Sequence, residues 1–154
     1  MTSCILPIPN EKQIAIDGMC WAATLAPIVR FCTGRSMTQH QLCEAAGRRP
    51  TDGASLDHMA RALRQAARIL SYRSKPLSAE ATFAHLKSRR PIVLVLDVGK
   101  GFVCHCASLR GLVHDGEWQA VINEPNLASH HSLYLPFARV RAAWREGLVI
   151  AGRS

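Results

Sequence analysis

Cys20 stands in the run Gly18-Met19-Cys20-Trp21-Ala22-Ala23-Thr24, at the mouth of an apolar helical pattern, with Gln13 shortly before it and His105 far downstream. These types in this order point to an activated thiol. A sulfur at a helix N-terminus feels about half a positive charge from the aligned peptide dipoles, which favours the thiolate, and a neighbouring imidazolium favours it further. Cysteine attack on an amide carbonyl also needs a group to orient the imidazole and donors for the oxyanion. Nucleophile and base lie 85 positions apart in the chain, so the fold must bring them together.

Gln13, a short turn and then Cys20-Trp21-Ala22-Ala23 opening a helix resembles the papain-like cysteine peptidases of bacteria, especially the compact branch with double-glycine leader peptidases and secreted effector proteases. Two later blocks agree. Phe102-Val103-Cys104-His105-Cys106-Ala107-Ser108-Leu109-Arg110-Gly111 resembles that branch's histidine strand, and Val121-Ile122-Asn123-Glu124-Pro125 resembles the strand after it. The resemblance implies Cys20 as nucleophile, His105 as general acid and base, and Gln13 as oxyanion donor. Gln13 precedes Cys20 by seven positions, one more than the family pattern, so the loop must absorb an extra residue. Relatives carry aspartate or asparagine before the proline, whereas here Glu124 holds that position and Asn123 stands just ahead of it. Adjacent strand residues face opposite ways, so only one of the two can orient the imidazole. Glu124 keeps the position and the acidic chemistry and is the preferred choice. Gly18, Met19 and Trp21, flanking the nucleophile, are the candidate substrate-binding wall.

Composition narrows the rest. A chain of 154 residues, 48% hydrophobic and 19% charged, suits one soluble domain over residues 1–154. No apolar run reaches the roughly 20 residues that span a bilayer, and the first residues lack the layout of a signal peptide. The expected location is a bacterial cytoplasm or a target cell reached by a signal-independent route, with no membrane partner. The six cysteines, at 4, 20, 32, 43, 104 and 106, are too irregular for a disulfide scaffold and lack paired metal-ligand spacing. Apart from Cys20 they read as small buried hydrophobes. Cys104 and Cys106 flank His105, but on a strand they point away from its side, so no metal and no cofactor are expected. The net charge of +8, from 15 arginines and four lysines against 11 acids, favours acidic partners. The arginines are scattered and only 6% of residues are aromatic, which disfavours nucleic acid and leaves a solvated basic face or an acidic inhibitor or immunity protein.

Elements able to position these groups follow from periodicity and caps. Residues 1–19 read as an extended lead-in. A helix over 20–33 ends at Gly34 and contains Pro27, which should loosen a turn. A second helix over 38–46, capped by Ser36 or Thr38, stops at Gly47, and a third starts after Ser55 with an apolar stripe of Leu56, Met59, Ala60, Leu63, Ala66 or Ala67 and Leu70 against Arg61, Arg64 and Arg68. A strand over 69–73, a helix over 78–88 and a buried strand over 91–97 come next. Strands over 102–110, 117–123 and 131–135 follow, with Asp115-Gly116 marking a hairpin. A short helix over 137–145 and a strand over 148–151 close the chain. Helices first and antiparallel strands second make an α+β fold, matching the papain-like arrangement of an N-terminal helical lobe on a C-terminal antiparallel sheet.

Three functions are compatible with these residues. The first is a cysteine endopeptidase cutting a protein or peptide substrate after small residues, in the manner of a Gly-Gly site, and serving as an effector or interbacterial toxin. The second is a glutamine deamidase or transglutaminase using the same triad. The third is a basic binding module without catalysis.

Overall fold

Gly34, Gly47 and Arg68 each take a left-handed conformation and close a helix, which divides the first half of the chain into three short, separately capped helices. The computed structural model describes residues 1–14, 18–97, 104–126 and 132–153, with Cys104 described in its backbone only. Positions 102, 103 and 131, where two of the expected strands begin, lie outside the described residues.

In chain order the elements are β1 (Thr2–Ile5), α1 (Cys20–Thr33), α2 (Gln39–Ala46), α3 (Leu56–Ala67), β2 (Ile69–Ser74), α4 (Ala79–Lys87), β3 (Ile92–Asp97), β4 (Cys104–Asp115), β5 (Glu117–Asn123), β6 (Leu133–Pro136), α5 (Phe137–Ala143) and β7 (Trp144–Arg153). The described strands form one antiparallel sheet in the order β2-β7-β3-β4-β5-β6. β1 pairs with the distal half of β4, end to end with β3. α1, α3, α4 and α5 pack against this sheet and α2 packs on α1 and α3, as the sequence predicts for an α+β, papain-like fold.

α1 is the central helix. Every residue from Trp21 to Val29 is buried, because one side meets α2 and α3 while the other meets β4 and β7. A helix apolar all round belongs in a core. Burial also explains why α1 runs unbroken through Pro27, where the sequence predicts a loosened turn: tertiary packing outweighs the one donor that proline removes. Thr38 and Ser55 form capping boxes at α2 and α3. The stripe on α3 comprises Leu56, Met59, Ala62, Leu63 and Ala67, with Arg61, Arg64 and Arg68 exposed.

Four expectations change. Leu70 leaves the α3 stripe, because Arg68 ends the helix and Leu70 then lies on β2 with its side chain 47% exposed. The lead-in contains a paired strand, β1, which fits against β4 because Gly111 offers no side chain: a Cβ there would stand 3.0 Å from Ile5 Cγ1 and 3.1 Å from Cys4 O. β4 accordingly extends to Asp115 and turns directly through Gly116 into β5. At the far end α5 stops at Ala143, and the last strand starts earlier, at Trp144.

Candidate active site

Cys20 is the first residue of α1 and is half-buried with a free thiol. No side chain caps this helix and no acid lies in its first turn, so nothing local offsets the positive end of the dipole at the sulfur. Thr24 Oγ donates to the Cys20 carbonyl at 2.7 Å and reaches the Cys106 carbonyl at 3.4 Å, joining the first turn of α1 to β4. A hydroxyl four residues after the cysteine, inside the otherwise apolar run Trp21–Val29, is the sequence signal for this tie, one that the reading of the sequence passed over.

His105 sits on β4 next to Cys106 and is 8% exposed. Its Nε2 lies 2.5 Å from Glu124 Oε1, and its ring also makes a side-chain hydrogen bond with Cys20. Since Glu124 occupies Nε2, the bond to sulfur falls to Nδ1. Burial works against the imidazolium, but the hydrogen bonds to Cys20 and Glu124 and the charges of both outweigh it, raising the pKa from 6.5 to about 9. The same Glu124 oxygen accepts from the backbone N–H of Asn126 at 2.8 Å, which fixes the carboxylate.

Strand parity explains which neighbour meets the imidazole. Ser108 on β4 pairs with Asn123 on β5, so continuing the register sets Glu124 beside Ala107 and diagonal to His105 on one face. Asn123 faces the other way and is a correction to the alternative orienter. It is 4% exposed, and its Nδ2 donates to the carbonyls of Ile8 at 2.8 Å and Pro9 at 3.1 Å. Its Oδ1 accepts from Arg110 Nε at 3.2 Å and Ser132 Oγ at 2.5 Å. Arg110 is the residue skipped where the β4–β5 register shifts, and such a bulge re-aims a side chain. From there its Nη1 donates to the Leu6 carbonyl at 2.7 Å.

Gln13 reaches this region through its backbone. Its N–H donates to the Pro125 carbonyl at 3.1 Å, and Asn10 Nδ2 donates to the Glu124 carbonyl at 3.0 Å. The lead-in is therefore stitched to the turn that carries Glu124. The supposed substrate wall is different. Met19 is 0% and Trp21 1% exposed; both side chains fill the core and are corrected as substrate contacts. Gly18 is half-buried at φ +81°, and a Cβ on it would stand 2.7 Å from Pro50 O and 2.8 Å from Thr51 C. Close backbone approach accounts for that glycine.

Cys106, one residue from His105, is buried, and burial pushes its thiol well above the ordinary range, with the charge of Cys20 adding to the effect. A thiol so placed stays protonated.

The fold has counterparts among known proteins. The fold is similar to a C39-like peptidase from Bacillus anthracis, at a TM-score of 0.75 and 16% identity covering 100% of both chains. It is similar to the peptidase domain of Streptococcus ComA, a bi-functional ABC transporter involved in quorum sensing, at a TM-score of 0.75 and 17% identity over 95% of this chain and 99% of that one. The bromelain protease of Ananas comosus superposes at a TM-score of 0.67 and 13% identity, over 99% of this chain and 100% of that one. No curated protein sequence matches the chain. Residues 2–137 match the family described as papain-like cysteine protease AvrRpt2. That span contains the thiol, the imidazole and the carboxylate alike, and the chain belongs to that papain-like family as a cysteine peptidase.

Proposed function

We propose that residues 1–154 form one cysteine endopeptidase domain working through Cys20, His105 and Glu124, with Gln13 and the Cys20 backbone N–H as oxyanion donors. The observation that carries the reading is the imidazole held between sulfur and carboxylate. In acylation the Cys20 thiolate attacks the scissile carbonyl carbon, and the negative charge moves to its oxygen. The His105 imidazolium then gives its proton to the leaving amine as the C–N bond breaks. In deacylation the neutral imidazole takes a proton from water, whose oxygen attacks the thioester and releases the acid and Cys20. Glu124 holds the ring and stabilises its cationic form. One oxyanion donor is worth about 3–4 kcal/mol of transition-state stabilisation.

The cut after small residues rests on the likeness to double-glycine leader peptidases, and the role as a delivered bacterial effector or toxin rests on the family. An acidic immunity protein would complement the net charge of +8. No described helix is long and apolar enough to cross a membrane.

The test compares protein termini in cells expressing the parent and Cys20→Ala. New termini that require Cys20 support the endopeptidase and give its cleavage site. Glutamine-to-glutamate conversions in intact targets, with no new termini, would replace it by the deamidase. Absence of both would leave the binding module.

A further inference from the structure

Gln39 is the first residue of α2 and is 1% exposed. A buried carboxamide must satisfy both its ends, and this one does so entirely on the segment around Gln13. Its Oε1 accepts from the Ile14 N–H at 3.0 Å. Its Nε2 donates to the Lys12 carbonyl at 2.9 Å and to Glu11 Oε2 at 2.8 Å. The two residues on either side of Gln13 are thus clamped by one side chain. The Gln13 N–H itself is bound to Pro125 O at 3.1 Å.

We infer that Gln39 is the positioning residue of the oxyanion hole: it fixes the backbone on both sides of Gln13 so that the Gln13 side chain is set for the tetrahedral intermediate. This rests on the reading of Gln13 proposed above. The physical case is one of lever and anchor. Residues 11–14, around Gln13, form no helix or strand of their own, so local structure cannot hold them in register. Gln39 can, because it stands on a helix fixed by the Thr38 capping box, and a rigid element holds a group more closely than a loop does. Oxyanion stabilisation demands such fixity, since a donor must already point at the developing charge. Gln39 touches no reacting atom and acts through Lys12 and Ile14.

Two probes of the full chain separate this role from general support of the fold. N-acetylglycine p-nitrophenyl ester acylates the sulfur through a tetrahedral oxyanion, with release of nitrophenolate, whereas iodoacetamide alkylates it by direct displacement and forms none. Gln39→Ala is expected to slow ester acylation on the order of a hundredfold, the scale of a donor misplaced by about 1 Å, with iodoacetamide alkylation within about twofold of the parent. Adding Gln39→Ala to Gln13→Ala should slow acylation little further, because both remove the same interaction. Gln39→Glu should also slow acylation by placing two carboxylates together, and Glu11→Gln in the same chain should restore part of it by returning one donor to the pair. Unchanged acylation in Gln39→Ala while Gln13→Ala is slow overturns the inference alone. Equal slowing of acylation and alkylation overturns it in favour of a purely structural role. Unchanged acylation in Gln13→Ala sinks the underlying reading of Gln13, and the inference with it.

Discussion

Asn123 and Glu124 are adjacent in the chain yet serve opposite faces of it: Glu124 meets His105 Nε2 at 2.5 Å, while Asn123 binds the carbonyls of Ile8 and Pro9. One acts on the imidazole and the other anchors the N-terminal lead-in. Their substitution should therefore separate chemistry from stability.

Glu124→Gln removes the charge that stabilises the imidazolium and is expected to lower kcat on the order of a hundredfold or more, with stability lost only below about pH 9, where the raised His105 pKa contributes it. Asn123→Ala strands the buried Ile8 carbonyl and the Arg110–Ser132 pair and frees the part-buried Pro9 carbonyl, and should destabilise the protein by about 1–3 kcal/mol while leaving most of kcat. Chemical denaturation and steady-state kinetics on both variants check the split. A Glu124→Gln enzyme with full turnover would remove the carboxylate from the mechanism.

His105 carries a pKa raised from 6.5 to about 9 in the fold, so its proton is held more tightly folded than unfolded. The stability this contributes is complete below about pH 6.5 and is lost as pH rises through about 9. Denaturation midpoints should fall over that window in the parent, and His105→Gln should show a flatter profile. Turnover should decline above about pH 9, where no imidazolium remains to protonate the leaving amine. Glu124→Gln should move that decline to lower pH.

Iodoacetamide on the native protein near neutral pH should modify Cys20 well before Cys43 or Cys106. Both of the latter are buried thiols whose pKa burial raises. Peptide mapping after brief exposure reads the order, and His105→Ala should slow the Cys20 reaction by removing its imidazolium partner. Preferential labelling of Cys106 would contradict the arrangement.

Gly18→Ala should be costly because its new Cβ would meet backbone atoms at 2.7 and 2.8 Å in a left-handed conformation. A loss above about 2 kcal/mol is expected, combining overlap with backbone strain. Gly34 has a similar φ of +73° but open space around it, so Gly34→Ala should cost only about 1–2 kcal/mol. Melting temperatures of the pair test whether close approach to residues 50–53, rather than φ alone, requires glycine before the nucleophile.

Gly34, Thr38, Gly47, Ser55 and Ser78 were legible as helix boundaries in the chain itself, because a cap acts within one turn on backbone groups a few residues away. The α+β order and the candidate thiol and imidazole were legible for the same reason: periodicity and residue type are local quantities. The failures mark where the reach of such signals ends. Trp21 and Met19 next to Cys20 lie in the core because α1 is enclosed on both sides, which no single helix pattern reveals. The choice of Glu124 over Asn123 depended on the register between β4 and β5, and the hold of Gln39 on residues 11–14 on where α2 docks against the lead-in. The amino-acid sequence by itself determined which groups were available and which short elements carried them. Only the tertiary structure decided which groups meet, since hydrogen bonds and ion pairs act over about 3 Å while the residues they join stand as many as 115 positions apart, as Ile8 and Asn123 do.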